Sequence, residues 1–141
     1  MKRNEYDEQA EKFCTQYGFE IKAAFKGDRC PPWDDEKHIH GDRYRVTIKR
    51  ISPSNDMRTV GRSISFDFWN SLKDSRDGTR PSAYNILACI SSDVNMPTDP
   101  DELISELGPM KVKQALAVVK FTKRLQQFFT EAEIEALSEI Q

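Results

Sequence analysis

Histidine, cysteine and glycine are all scarce in this 141-residue chain, which has two, three and six of them. The glycines are scattered, so no phosphate-cradling glycine loop is present. There is no GxSxG elbow and no HExxH pair, and the single HIH cannot make the paired HxT or HxS arrangement of some small phosphoesterases. No catalytic centre is expected, and the chain reads as a non-enzyme. Cys14, Cys30 and Cys89 are odd in number and widely spaced, which suits reduced thiols better than a disulfide scaffold. No run approaches the roughly 20 apolar residues of a membrane span, and the opening MKRNEYDEQAEKF has no apolar stretch for a signal peptide. A cytoplasmic protein with no membrane partner is expected.

Charge of one sign is missing in places. Ser82 to Met110 contains no Lys or Arg, while Asp93, Asp99, Asp101, Glu102 and Glu106 fall within it. Thr130 to Gln141 carries only acids: Glu131, Glu133, Glu135 and Glu139. From Lys22 to Arg62, in contrast, basic residues outnumber acidic ones. A net charge of −2 argues against coating nucleic acid by bulk positive charge, but the segregation predicts one basic and one acidic face.

What is abundant is aromatic. Eight Phe, four Tyr and two Trp compensate for a hydrophobic share of only 38%, enough for one core in a chain of single-domain length. Tyr6, Ala10, Phe13, Cys14 and Tyr17 recur at helical steps and are followed by Gly18, a natural helix terminator. The period then becomes two. Phe19, Ile21, Ala23 and Phe25, then Tyr44, Val46 and Ile48, then Ile64, Phe66 and Phe68 each alternate with polar or small residues, predicting three strands with one covered face. SPSNDM reads as a hairpin loop between the second and third. A short helical turn is expected over Phe68 to Leu72. Ser82 caps a helix carrying Ala83, Ile86, Leu87 and Ile90; Asp99, Pro100 and Glu102 start another that Gly108 and Pro109 end. The longest helix runs Val112 to Phe129 and is expected to be broadly buried, Leu116 included. Thr130 and Glu133 form a capping box for a last helix with Ile134, Leu137 and Ile140. The predicted architecture is one α+β domain over 1–141: an N-terminal helix (1–18), a three-stranded antiparallel sheet (19–68) with a long 27–42 loop, and a helical part (69–141) of three to five helices packed on one sheet face.

The long loop gathers chemistry. Cys30, His38 and His40 are candidate zinc ligands, since two histidines two residues apart point the same way on an extended chain. Cys30 or one of Asp34, Asp35 and Glu36 can join the histidines, and a fourth ligand has to come from Cys14, Cys89 or an acid placed by tertiary folding, although the spacing matches no established zinc signature. Alternatively Pro31 and Pro32 stiffen the loop and Trp33 packs it down. No other cofactor is indicated. Trp33, Asp34 and Asp35 also form a candidate partner-binding tip, because tryptophan is favoured at interface hot spots.

The two charged faces give two further candidates. Lys22, Lys26, Arg43, Arg45 and Lys49 occupy outward strand positions, with Arg50 and Arg58 near the hairpin; such a face can follow a phosphate backbone, with Tyr44 or Trp33 stacking on bases. Asp93, Asp99, Asp101, Glu102 and Glu106 can instead mimic nucleic acid in a basic groove. Each set also suits a merely solvated surface.

Three passages, CPPWDDEKHIHGDRYRVTI, SISFDFWNSL and SAYNILACISSD, together resemble a group of small, mostly uncharacterised proteins of bacteriophages, prophages and other bacterial mobile elements. The likeness runs from Phe13 to about Asp93. It implies an accessory protein made in the bacterial cytoplasm, a monomer or homodimer that binds a host nucleic-acid-processing or defence complex, as anti-CRISPR inhibitors do. Direct nucleic-acid binding through the basic sheet face, with a structural zinc in the 30–40 loop, is the alternative expectation.

Overall fold

The computed structural model describes residues 3–28, 41–51, 62–70 and 80–140. Helix α1 (Arg3–Tyr17) buries Ala10 and Phe13 and half-buries Cys14 and Tyr17 along the predicted stripe. It stops at Gly18, whose φ of 70° is a left-handed conformation that a Cβ would penalise. Strand β1 (Phe19–Asp28) starts at the next residue. With β2 (Asp42–Arg50) and β3 (Ser63–Asn70) it forms an antiparallel meander in the order β1-β2-β3. Ala23, Val46 and Phe66 lie in one row of this sheet, and Lys22, Thr47 and Ser65 in the neighbouring row on the other face.

Four helices follow: α2 (Ala83–Asp93), α3 (Pro100–Leu107), α4 (Val112–Phe128) and α5 (Glu131–Leu137). Their starts are set by local hydrogen bonds. The Ser82 hydroxyl accepts from the Asn85 N–H, Asp99 accepts from the Asp101 N–H, and Thr130 and Glu133 cap each other reciprocally. Ile86, Leu87 and Ile90 of α2, Leu125 and Phe128 of α4 and Leu137 of α5 meet Phe19, Val46, Ile48, Ile64 and Phe66 in the main core. Helix α3 adds Leu103 to a smaller cluster with Ala115 and Val119 of α4. The architecture is thus the expected one: an N-terminal helix, a three-stranded antiparallel sheet and a C-terminal helical cluster against the sheet. Among the described residues no helix is long and apolar enough to cross a membrane.

A buried clasp fastens the sheet to the helices. Arg50, at the end of β2, donates through Nη1 to Glu133 Oε2 (2.6 Å), and through Nη2 to Glu133 Oε1 (2.7 Å) and the Phe128 carbonyl (2.7 Å). The two side chains are only 7% and 5% exposed, and the guanidinium is sandwiched by the Phe19 and Phe128 rings at 4.8 and 4.9 Å. Glu133 Oε1 also accepts from the Thr130 N–H, so one carboxylate both caps α5 and anchors β2. The forked geometry fits a planar bidentate pair, which is the form in which a buried ion pair is tolerable. Arg50 is therefore no hairpin cation available to phosphate.

Three other expectations are corrected. β3 continues through Trp69 and Asn70, which pair with Arg43 and Asp42, where the sequence predicts a helical turn from Phe68; ladder pairing with β2 overrides the local signal. Leu116 is 52% exposed, because α3 packs on the Ala115–Val119 side of α4. Phe25 is 59% exposed although it alternates onto the covered face, since the helical layer leaves that end of β1 open; its ring meets Tyr44 edge-on.

Candidate functional site

The two margins of the sheet are finished differently, and the hydrogen-bond alternation shows how. The Ile51 N–H reaches Gly18 O on the β1 side, whereas the Arg50 N–H reaches Arg62 O on the β3 side. In an antiparallel ladder this direction alternates with every residue. With the observed register, Glu20, Lys22 and Ala24 therefore turn their backbone groups toward β2, and Ile21, Ala23 and Phe25 turn theirs outward from the sheet. Among the described residues no backbone partner meets those outward groups. On the far margin Ser63, Ser65 and Asp67 face outward by the same rule, and there the Ser65 carbonyl accepts a 2.7 Å hydrogen bond from Arg124 Nη2 of α4.

Beside the open margin of β1 lies a groove of about 830 Å³. One wall is apolar: Ile21 and Ala23 from the strand, with Pro81, Ala83 and Ile86 from the start of α2. The rest is mainly cationic: among the described residues Lys22, Lys26, Arg45, Lys49 and Arg80 line it with Ala24, Thr47 and one carboxylate, Glu20. Lys22 sits 3.2 Å from Glu20 in a solvent-exposed pair, which holds little energy. Arg45 pairs with Asp67 at 3.2 Å, and Arg43 approaches the same carboxylate at 3.6 Å. Lys26 and Lys49 have no ion-pair partner among the described residues. Four of the five predicted basic residues thus converge on this groove; Arg43 does not line it. Arg80 joins from more than thirty residues away, and no periodicity could have placed it there.

A second groove, about 550 Å³, runs between β3 and α4 and contains Asp67, Trp69, Asp93, Lys120, Phe121 and Arg124. Burial here pushes the Asp93 carboxyl from its ordinary 3.8 up to about 6. Burial also raises the Cys14 thiol, and burial followed by the charge of Asp93 raises Cys89. Neither thiol is activated as a nucleophile at neutral pH.

The predicted acidic set is divided. Asp93 belongs to the β3-side groove, and Asp99 caps α3 with its carboxylate. Asp101, Glu102 and Glu106 are exposed on α3. Of the later acids, Glu133 is buried in the clasp. Tyr44 is 1% exposed and cannot stack on a base. The candidates Cys30, Trp33, Asp34, Asp35, His38 and His40 lie outside the described residues, as do Arg58 and the SPSNDM hairpin. Among the described residues no three His, Cys, Asp or Glu side chains gather as a metal site would require. Compared with family models, curated proteins and solved structures, the chain matches none.

Proposed function

We propose that the protein acts by stoichiometric protein binding, as an accessory protein of a bacteriophage or other mobile element that blocks a host defence complex, with anti-CRISPR inhibition as the concrete form. The biological setting rests on the resemblance of the three passages. The binding mode rests on one observation: a strand margin without a backbone partner among the described residues, beside a groove that is apolar on one wall and, among those residues, carries five cations against one carboxylate on the other. Protein interfaces combine such buried apolar anchors with a charged rim. Direct nucleic-acid binding is the second reading, favoured by the same cations. It fits less well, because Tyr44 is buried, Arg43 and Arg45 are engaged by Asp67, and an apolar wall has no use for phosphate. Acidic mimicry keeps the exposed acids on and beside α3 and Glu131, Glu135 and Glu139 in the C-terminal stretch, and loses Glu133 to the clasp.

The test is capture from the bacterial host followed by native mass spectrometry of the complex. A fixed-stoichiometry complex is expected. Changing Lys22, Arg45 and Lys49 together to Glu should weaken it at least about tenfold, while changing Asp99, Asp101 and Glu102 to Lys leaves it intact. Loss on reversing the acids alone would move the working surface to α3. Salt-sensitive binding of an oligonucleotide in place of a protein would establish the second reading.

A further inference from the structure

We infer that the margin of β1 is a docking edge for an extended segment of the partner protein, added as a fourth strand, in which apolar and acidic residues alternate. This deepens the protein-binding reading and rests on it. Three features of the margin combine.

First, the outward backbone groups of Ile21, Ala23 and Phe25 offer N–H and C=O positions without a partner among the described residues. Natural proteins close such edges or populate them with charge, and an open one is a template for another strand. Here Arg124 reaches one carbonyl of the opposite margin, and among the described residues nothing comparable reaches this one. Second, the side chains that flank those groups on the helix side are apolar and incompletely covered. Phe25 is 59% exposed, Ile21 and Ala23 are half-buried, and half-buried Ala83 of α2 stands across the groove, over the buried Ile86. Third, the opposite face of the same strand presents Lys22 and Lys26, with Arg45 and Lys49 on β2 behind them.

A strand laid on β1 must send successive side chains to opposite faces. Every second residue of the incoming segment would enter the apolar side of the groove, and the intervening ones would come level with Lys22 and Lys26. Opposite charges at such cross-strand positions stabilise the pairing and like charges oppose it. The occupant is therefore acidic on its outer face. A second copy of this chain would bring the same cationic excess to the joint, so it is the poorer occupant.

The probe is a fluorescent nine-residue peptide alternating Val and Glu, titrated into the full-length protein. Saturable binding is expected, weakening as salt rises. The Glu-to-Lys version, and a peptide of equal composition with all Val before all Glu, should bind at least about tenfold less tightly. Ala23→Pro removes an N–H that points away from β2, so the ladder survives while the docking edge loses a donor; a similar fall is expected. If that variant does not fold, the same peptide N-methylated at alternate residues removes the matching donors without touching the protein. Equal binding of alternating and block peptides, undiminished binding after N-methylation, or no saturation at millimolar peptide would each overturn the inference. Concentration-dependent dimerisation abolished by Ala23→Pro would give the edge to a second copy, also overturning it. The natural complex separates this failure from that of the broader reading. Survival with Ala23→Pro but loss on cation reversal removes strand addition and keeps protein binding at the groove; survival of both removes both from this surface.

Discussion

The β1 and β3 margins belong to the same small sheet, yet among the described residues only the β3 margin receives a side-chain hydrogen bond from the helices, at one carbonyl. At β3, Arg124 reaches across from α4 to the Ser65 carbonyl and Phe121 packs on Phe66 with ring centroids 5.1 Å apart. At β1 the outward groups of Ile21, Ala23 and Phe25 meet no hydrogen-bond partner among the described residues, and a large aromatic is left in solvent. The difference separates the packed corner that carries stability from the margin at which we propose recognition. The start of β1, the end of β2 and the α4–α5 corner hold the clasp and the aromatic stack of Phe19, Phe128 and Phe129. Farther along β1 the margin is less covered, and Lys22 keeps its charge in water.

The largest test of this division is the clasp. Arg50→Met strands the Glu133 carboxylate in the core and should cost about 3–5 kcal/mol in urea unfolding. Adding Glu133→Gln, which removes the charge but keeps an acceptor for the Thr130 N–H, should recover part of that loss. A cost below about 1 kcal/mol would mean the packed corner does not carry the stability assigned to it.

Asp93 comes next. Its carboxyl titrates higher in the folded chain than in the unfolded one, so the ionised form opposes folding. The contribution is fully present below pH 3.8 and is lost as pH rises through about 6. Asp93→Asn should therefore stabilise the protein at pH 7 by up to about 3 kcal/mol, with the gain vanishing below about pH 4. Thermal melts of both proteins across that range check it. A pH-independent gain would place the effect in packing instead of ionisation.

The smallest effect should come from Arg124→Ala. Losing one hydrogen bond to the Ser65 carbonyl costs about 1 kcal/mol, but it makes the β3 margin resemble the β1 margin. New concentration-dependent association, followed by sedimentation, is the expected sign. A variant that remains as monodisperse as the parent would show that Arg124 is not what closes that edge.

Much of this architecture was legible because it is local. Ser82, Asp99 and Thr130 mark their boundaries through bonds spanning two or three residues, Gly18 marks one by its left-handed backbone, and alternation in β1, β2 and β3 identifies the faces. Leu116 and Phe25 were misread for one reason: a period says which residues share a side but not whether anything lies above them. Trp69 and Asn70 follow β2 for want of any local rule that outranks ladder pairing. The groove was half legible, since Lys22, Lys26, Arg45 and Lys49 share a strand face, while Arg80 and Ile86 arrive only through the return of α2.

By itself, then, the sequence determined the order of elements, the helix ends, and the side of the sheet that carries cations, because those depend on steric and hydrogen-bonding choices within a few residues. Tertiary structure alone decided that Arg50 meets Glu133 eighty-three positions later, that Asp93 is divided from the acids of α3, and that Arg124 of α4 reaches the Ser65 carbonyl on one margin of the sheet. Those outcomes depend on which surfaces the folded chain brings together, and burial and long-range pairing have no period that a linear reading can detect.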